Sequence, residues 1–390
     1  MTSWVEQIPT EKIIEWRRHL HQNPELSYKE FETSQFIYDT LSTFPNLEII
    51  RPTETSVVAI LEGGAGEGKT IALRGDMDAL PIMEEADVEF KSTKDGIMHA
   101  CGHDTHVAML LGAAKVLSKM KDEIKGKVKF IFQHAEEMVP GGAQEIVDAG
   151  VLKDVDEIYG IHIFPTMKAG SLGVVTTGYA TTAADGFFLK IQGKGSHAST
   201  PELSIDPVVV GSQLVLALQT IVSRNVKPSE MVALSIGEFH SGQAANIIAD
   251  TARLSCSIRT ISEEARDLVE KRVKEIIENV TAAYGATYEL DYVRGYSALY
   301  NTPELAQKAV ASATKVLGEE LVYESPMLMG SEDFSAYTKV GPGCFMFLGG
   351  GTDEDGCGYF NHHPKFKIVE ESMFNGTKVE VQVILDLLGK

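Results

Sequence analysis

Apolar and polar positions along the chain follow two periods. Ile13, Trp16 and Leu20 recur at helical spacing within residues 11–22, and a second helical stretch runs around Glu30 to Leu41; both are expected to be packing elements. Short, nearly continuous apolar runs then predict strands at 57–63 (VVAILEG), 70–78 (TIALRGDMD), 127–133 (KVKFIFQ) and 157–164 (EIYGIHIF), with a helix-like run, VAMLLGAAKVL, at 107–117. From Asp185 the order changes to strand GFFLKIQG, helix PVVVGSQLVLALQTIVS, strand MVALSIGEF, strand TARLSCSIRT, helix SEEARDLVEKRVKEIIENVTAAYG and strand TYELDYV. This βαββαβ order is the split βαβ, ferredoxin-like arrangement. It predicts an inserted α+β domain at 185–295 within an α/β domain made of 1–184 and 296–390, which resumes with a helix near 303–317, strand CFMFLGG and a closing helix around 370–388.

The 390 residues are 44% hydrophobic and 23% charged, an ordinary globular balance with length for two or three domains. A formal net charge of −20 argues against a nucleic-acid partner, because phosphate binding needs clustered Lys and Arg. The start, MTSWVEQIPTEK, has no apolar segment of the secretory kind, and no stretch approaches the ~20 uninterrupted apolar residues of a membrane span. Cytoplasmic residence without membrane association is the expectation. Cys101, Cys256, Cys344 and Cys357 are scattered with no C-x-x-C pairing, as in a reduced compartment. Cys256, alternating with Leu254 and Ile258, reads as a small core residue, and Cys344 at the head of CFMFLGG reads the same way; only Cys101 has a ligand-like neighbourhood.

Two stretches carry the candidate chemistry. In HACGHDTH (99–106), Cys101 and His103 stand two apart just before the helical run. A thiolate and an imidazole suit Zn²⁺ or a similar ion, and a helix N-terminus favours the anionic thiolate. In HAEE (134–137), Glu136 and Glu137 follow a buried strand; neighbours on a strand face opposite ways, so one carboxylate can bind metal while the other moves protons. Singly, a Cys near a His is usually a buried thiol beside a surface imidazole, and adjacent Glu residues are usually a solvated turn. Together, at the ends of apolar strands where open α/β sheets place their sites, they point to metal chemistry. Asp76 and Asp78, sharing one face at a strand's carboxyl end, are candidates for holding or orienting ligands, and His162 is as readily a ligand as a satisfied core residue. Residues 63–70, GGAGEGKT, match a phosphate-binding pattern letter for letter. That mechanism needs a helix starting at the Lys-Thr, whereas IALRGDMDALP reads as a strand running into a loop. A hairpin loop is expected there, with a nucleotide hydrolase as the alternative of a different class.

RGDMDALP, HACGHDTH, HAEE, the IHIFP strand, GKGSHASTPE, MGSEDF and NHHPKF, in this order over almost the whole chain, resemble the M20 family of metallopeptidases, and within it the amidohydrolases that cleave N-acyl amino acids. The resemblance implies a zinc-peptidase-like catalytic domain with a ferredoxin-like lid and two divalent ions per subunit, Zn²⁺ or Mn²⁺. It implies hydrolysis of the amide bond of an N-acyl amino acid by metal-activated water, with short peptides as the alternative substrate. Cys101 is then the bridging ligand, and His103, Glu137, His162 and His362 are the others, with His363 adjacent to the last. Glu136 is similar to the family's general base and Asp78 to the acid that supports the metal site, while Asp76 stands where other branches place a His ligand. In the lid, His197 resembles the histidine that polarises the scissile carbonyl, often from the partner subunit, which implies at least a homodimer. Asn246 and Arg259 match positions that contact substrate polar groups, although the usual N-x-I-P here ends in Ala249; Glu332 is implied to be structural or supporting.

Overall fold

The computed structural model describes residues 4–390. They form two compact units, the larger comprising the chain up to Ala180 with Tyr300–Met327 and Asp333–Lys390, the smaller comprising Thr181–Leu299 with Leu328–Glu332. The larger is built on a mixed sheet of eight strands in the spatial order Leu47–Ile50, Val57–Glu62, Lys127–Gln133, Thr70–Asp76, Glu157–Phe164, Gly343–Gly349, Leu172–Val174 and Val322–Glu324. The four strands from Lys127–Gln133 to Gly343–Gly349 run parallel and are buried along nearly their whole length. A strand covered on both faces has no solvent side to mark with polar residues, so it reads as an unbroken apolar run.

The helix His103–Leu117 is buried at every residue except Lys115, which accounts for its apolar character all round. It packs between the helices Thr10–Gln22 and Ser372–Leu388. Gly112 permits that approach, since a Cβ there would lie 2.8 Å from Ile13 Cδ1 and 3.1 Å from Thr377 Cγ2. The parallel strands Thr70–Asp76, Lys127–Gln133 and Glu157–Phe164 bring Asp76, the HAEE segment and His162 to one edge of the sheet, the carboxyl edge where open α/β sheets carry their sites.

For residues 63–70 one expectation needs correction, the hairpin, and the other holds, a strand and not a helix after the Lys-Thr. Residues 63–69 do not close a hairpin, because Lys127–Gln133 inserts between Val57–Glu62 and Thr70–Asp76, antiparallel to the first and parallel to the second. Nor do they open a helix: Thr70 begins a strand, its N–H bonded to Asp156 Oδ2 at 2.8 Å, and Lys69 Nζ lies 2.6 Å from Glu157 Oε1. The phosphate-binding mechanism has no helix N-terminus to act through.

The smaller unit is an antiparallel sheet in the order Val232–Ser241, Thr251–Thr260, Ala183–Gln192, Thr287–Arg294, with the helices Pro207–Thr220 and Glu263–Ala283 packed on it. This is the ferredoxin-like order. Both helices are capped as their sequences suggest, Asp206 Oδ1 accepting the Val208 N–H at 2.9 Å and Ser262 Oγ the Ala265 N–H at 3.1 Å. Cys256 is a buried strand residue of this core, as expected. Pro207–Asn225 is long and apolar enough on average to cross a membrane, although polar residues such as Ser212, Gln213 and Gln219 interrupt it as expected. In the fold, Val210, Leu214, Leu218 and Ile221 of that stretch are buried in the core of the smaller unit.

Candidate active site

Cys101 lies just before the helix His103–Leu117, separated from it by Gly102 in a left-handed conformation (φ 92°). The turn sets Cys101 Sγ 3.4 Å from His162 Nε2, which arrives from the strand Glu157–Phe164. His362 sits at φ 70° with its N–H bonded to Ala100 O at 2.8 Å, and its Nε2 lies 3.2 Å from Glu137 Oε1. His363 turns elsewhere, stacking on Tyr359 at 4.4 Å and accepting the Lys365 N–H at 3.0 Å. Among the sets in which potential donor atoms converge, those made only of the predicted ligands and base are Cys101 with His103 and His162, Cys101 with Glu137 and His362, and His103 with Glu136 and Glu137; within each set they lie within 4.8 Å of one another. Cys101 belongs to two of the sets.

The imidazoles are oriented by bonds on their far sides. His162 Nδ1 donates to Ile163 O at 2.8 Å, which leaves Nε2 as the lone-pair nitrogen facing Cys101. His103 Nδ1 faces Asp78 O at 3.0 Å and Asp78 Oδ1 at 3.1 Å, which leaves Nε2 toward Glu136 and Glu137 at 4.0 and 3.9 Å. His103 Nε2 is buried and has no hydrogen-bond partner, and Glu137 Oε1 is buried with His362 Nε2 near it at 3.2 Å but no hydrogen bond formed. Inward-facing polar atoms beside a thiol with no hydrogen bond among them are the signature of a cation site, since burial without a partner is costly. The donor set of one sulfur, three imidazole nitrogens and carboxylates fits transition-metal ligation.

The electrostatics agree. Burial opposes a proton on His103, yet Asp76, Asp78 and Glu137 outweigh it and raise His103 to about 10. Burial, reinforced by Glu137, Glu136 and Asp76, pushes the Cys101 thiol well above its ordinary value. Protein groups alone therefore leave protons on Cys101 and His103, and a divalent cation is the partner that displaces them. The thiolate expected of Cys101 belongs to the metal-bound state, in which a cation offsets the burial and the carboxylates that otherwise favour the thiol. The opposite-face argument for Glu136 and Glu137 fails, because the strand ends at Gln133 and Ala135 adopts a left-handed φ of 50°. The turn brings both carboxylates toward His103 instead.

Several buried polar residues behind the site were not singled out from sequence. His106 Nδ1 lies 2.5 Å from Asp76 Oδ1, and His106 Nε2 accepts the Ile163 N–H at 2.8 Å, linking two strand ends. Arg74 pairs with Asp76 and, at 2.7 Å, with Asp333, which also accepts from Gln133 Nε2. Asp104 accepts from Arg17 Nε at 2.9 Å and faces His21 Nδ1 at 2.8 Å, and these partners hold its carboxyl well below the usual range against burial. Asn361 Nδ2 donates to Cys101 O at 2.9 Å. The available signal was charge inside apolar runs, as with Arg74 in IALRGD. The helix Thr10–Gln22, expected only to pack, also supplies Arg17 and His21.

Three predicted residues lie in the smaller unit. His197 belongs to a two-residue strand, Ser196–His197, paired with Ile247–Ile248, and Asn246 sits beside it, its carbonyl accepting the Ala198 N–H at 3.1 Å. His197 Nδ1 accepts the Ser199 N–H at 3.1 Å, so the neutral ring carries its proton on Nε2. Arg259 is on the strand Thr251–Thr260, opposite Ala184 and Ala233, with a buried Nη1 that has no hydrogen-bond partner.

A mixed α/β unit with an inserted ferredoxin-like unit and a convergent sulfur, imidazole and carboxylate cluster defines a metallohydrolase of the zinc-peptidase kind. The family model described as peptidase family M20/M25/M40 matches residues 72–386, and the chain belongs to that family. It is a metal-dependent amidohydrolase or peptidase with a catalytic domain and a lid. The chain is 46% identical over 300 residues to an N-acyl-L-amino acid amidohydrolase of Geobacillus stearothermophilus, covering 77% of this chain and 80% of that one. It is 40% identical over 382 residues to thermostable carboxypeptidase 2 of Saccharolobus solfataricus, covering 97% and 96%. Among solved structures it resembles the YXEP protein of Bacillus subtilis, a dinuclear metal-binding peptidase of the M20 family, with a TM-score of 0.82 and 32% identity over 97% of this chain and 98% of that one.

Proposed function

We propose that this protein hydrolyses the amide bond of N-acyl amino acids at a pair of divalent ions held by Cys101, His103, Glu137, His162 and His362. The observation that carries the reading is the membership of Cys101 in two donor sets, one completed by His103 and His162 and the other by Glu137 and His362. Zn²⁺ is favoured over Mn²⁺ by the sulfur ligand. Bound there, the ions would lower the pKa of a water toward neutrality and polarise the amide carbonyl.

The chain supplies the remaining steps. Glu136, next to the ligand Glu137, takes the water's proton as the water attacks and passes it to the leaving amine. Asp78 keeps His103 in the tautomer whose Nε2 faces inward, and accepts the Glu137 N–H at 2.9 Å. His197, with its Nε2 proton, donates to the oxyanion, and Asn246 and Arg259 meet the polar groups of the substrate. The carboxypeptidase relative supports short peptides as a second reading. At least a homodimer is proposed, supported by Val208, Val209, Leu216 and Phe239 exposed on the smaller unit. Cytoplasmic residence is supported by four free, buried cysteines.

Elemental analysis of the purified protein, with hydrolysis of N-acetyl and N-benzoyl amino acids and dipeptides before and after chelation, tests the reading. About two ions per chain with chelator-sensitive cleavage is expected. A chain that binds no metal and stays inactive after Zn²⁺ or Mn²⁺ is added refutes it.

A further inference from the structure

Residues 25–30 (ELSYKE) grip the turn that carries Glu136 on both of its sides. Before it, the Tyr28 ring meets His134 edge-on at 5.6 Å, and Glu30 Oε1 accepts the Ala135 N–H at 2.8 Å. After it, Ser27 Oγ donates at 2.7 Å to Asp78 Oδ2, the oxygen that also accepts the Glu137 N–H. The same segment is anchored to the strand end below the site, the Ala79 N–H donating to Glu25 O at 2.8 Å.

Glu30 is the centre of this bracket. It is fully buried, and its partners are the Ala135 and Tyr28 N–H groups and the Thr55 hydroxyl; none of these is a cation. Burying a carboxylate against two peptide N–H groups and a hydroxyl, with no cation, is costly, and an apolar side chain would fill the space at less expense. What the side chain provides is an oxygen, Oε1, of the right reach to accept the Ala135 N–H together with the Tyr28 N–H. Ala135 needs it, because a φ of 50° is disfavoured for any residue with a Cβ and persists only where neighbours impose it.

We propose that Glu30 is a positioning residue for hydrolysis, fixing the left-handed Ala135 so that Glu136 is presented toward the reacting water. This rests on Glu136 being the general base. The test compares Glu30→Gln, Glu30→Asp and Glu30→Ala in the metal-loaded enzyme, recording kcat, KM, metal content and circular dichroism. The Gln side chain keeps an oxygen for the Ala135 N–H and should retain kcat close to that of the unmodified enzyme. The shorter Asp and the truncated Ala cannot reach it and should lose roughly 10–100-fold in kcat, with KM, metal content and folding unchanged.

A Glu30→Ala enzyme with undiminished kcat, a loss confined to KM or metal content, or failure of both Asp and Ala variants to fold would each overturn the proposal. Glu136→Gln separates the two ideas. If turnover survives that change, the base assignment fails by itself; if turnover is lost there while Glu30→Ala keeps it, only the role of Glu30 fails.

Discussion

Gly102 stands between two proposed ligands, and replacing it with Ala probes how the centre is held. Its φ of 92° already disfavours a side chain, which costs about 1–2 kcal/mol for an L-residue in a left-handed conformation. An added Cβ would also lie 2.5 Å from Ile163 Cγ2 and 3.3 Å from Phe366 Cζ, and both side chains are almost completely buried. Neither can swing into solvent, so overpacking adds about 1–3 kcal/mol, and Gly102→Ala should lose roughly 2–5 kcal/mol of stability. The strain is relieved most easily by the 101–103 turn backing away from Ile163. That movement carries Cys101 away from His162, now 3.4 Å distant, so metal affinity should fall about 10–100-fold. Urea unfolding measures the first effect and competition with a chromophoric chelator the second. A double-mutant cycle with Ile163→Ala should return about 1–3 kcal/mol of coupling, because the smaller residue removes the clash and leaves the backbone cost. Unchanged stability and affinity in Gly102→Ala, or zero coupling to Ile163, would refute the reasoning.

Glu136→Ala should keep its metal and abolish turnover; elemental analysis beside an activity assay checks this, and substantial residual activity removes Glu136 from the base role. Asp104→Ala leaves Arg17 Nε and His21 Nδ1 without their acceptor, while Glu370 and Glu84 still pair with the other ends of the two side chains, and should destabilise the larger unit by about 1–3 kcal/mol in urea unfolding, with no measurable loss counting against the buried network. Burial, with Asp78 beside it, raises Glu30 to about 7 from 4.5. A raised folded pKa means stability present below about 4.5 and lost as pH rises through 7, so Glu30→Gln should gain on the unmodified protein between pH 5 and pH 8, by on the order of 1–3 kcal/mol. Urea midpoints at the two pH values measure that gap, and a gap that shrinks as pH rises contradicts the shift.

Much of this architecture was legible in the chain. The buried parallel strands announced themselves as continuous apolar runs, and the βαββαβ order from Ala183 to Arg294 followed from alternating strand and helix periods, because those patterns record which side of each element meets the core. The residues of the cluster were also visible as chemistry out of place: a Cys and a His before an apolar helix, and paired Glu after an apolar strand. Residue type carries that information locally.

Tertiary structure decided the rest. Whether residues 63–69 formed a hairpin depended on where Lys127–Gln133 lay, and a strand inserted from dozens of residues away is invisible to a local pattern. Which of His362 and His363 faces Glu137 was set by one left-handed residue and a bond to Ala100 O, while burial, and after it carboxylates from two other segments, raise the Cys101 thiol. The grip of residues 25–30 on the catalytic turn could not be read from ELSYKE, a stretch that looks like the polar start of a packing helix. Pairings between distant segments are fixed when the whole core closes, since burial obliges each polar group to find its partner wherever the fold has brought one.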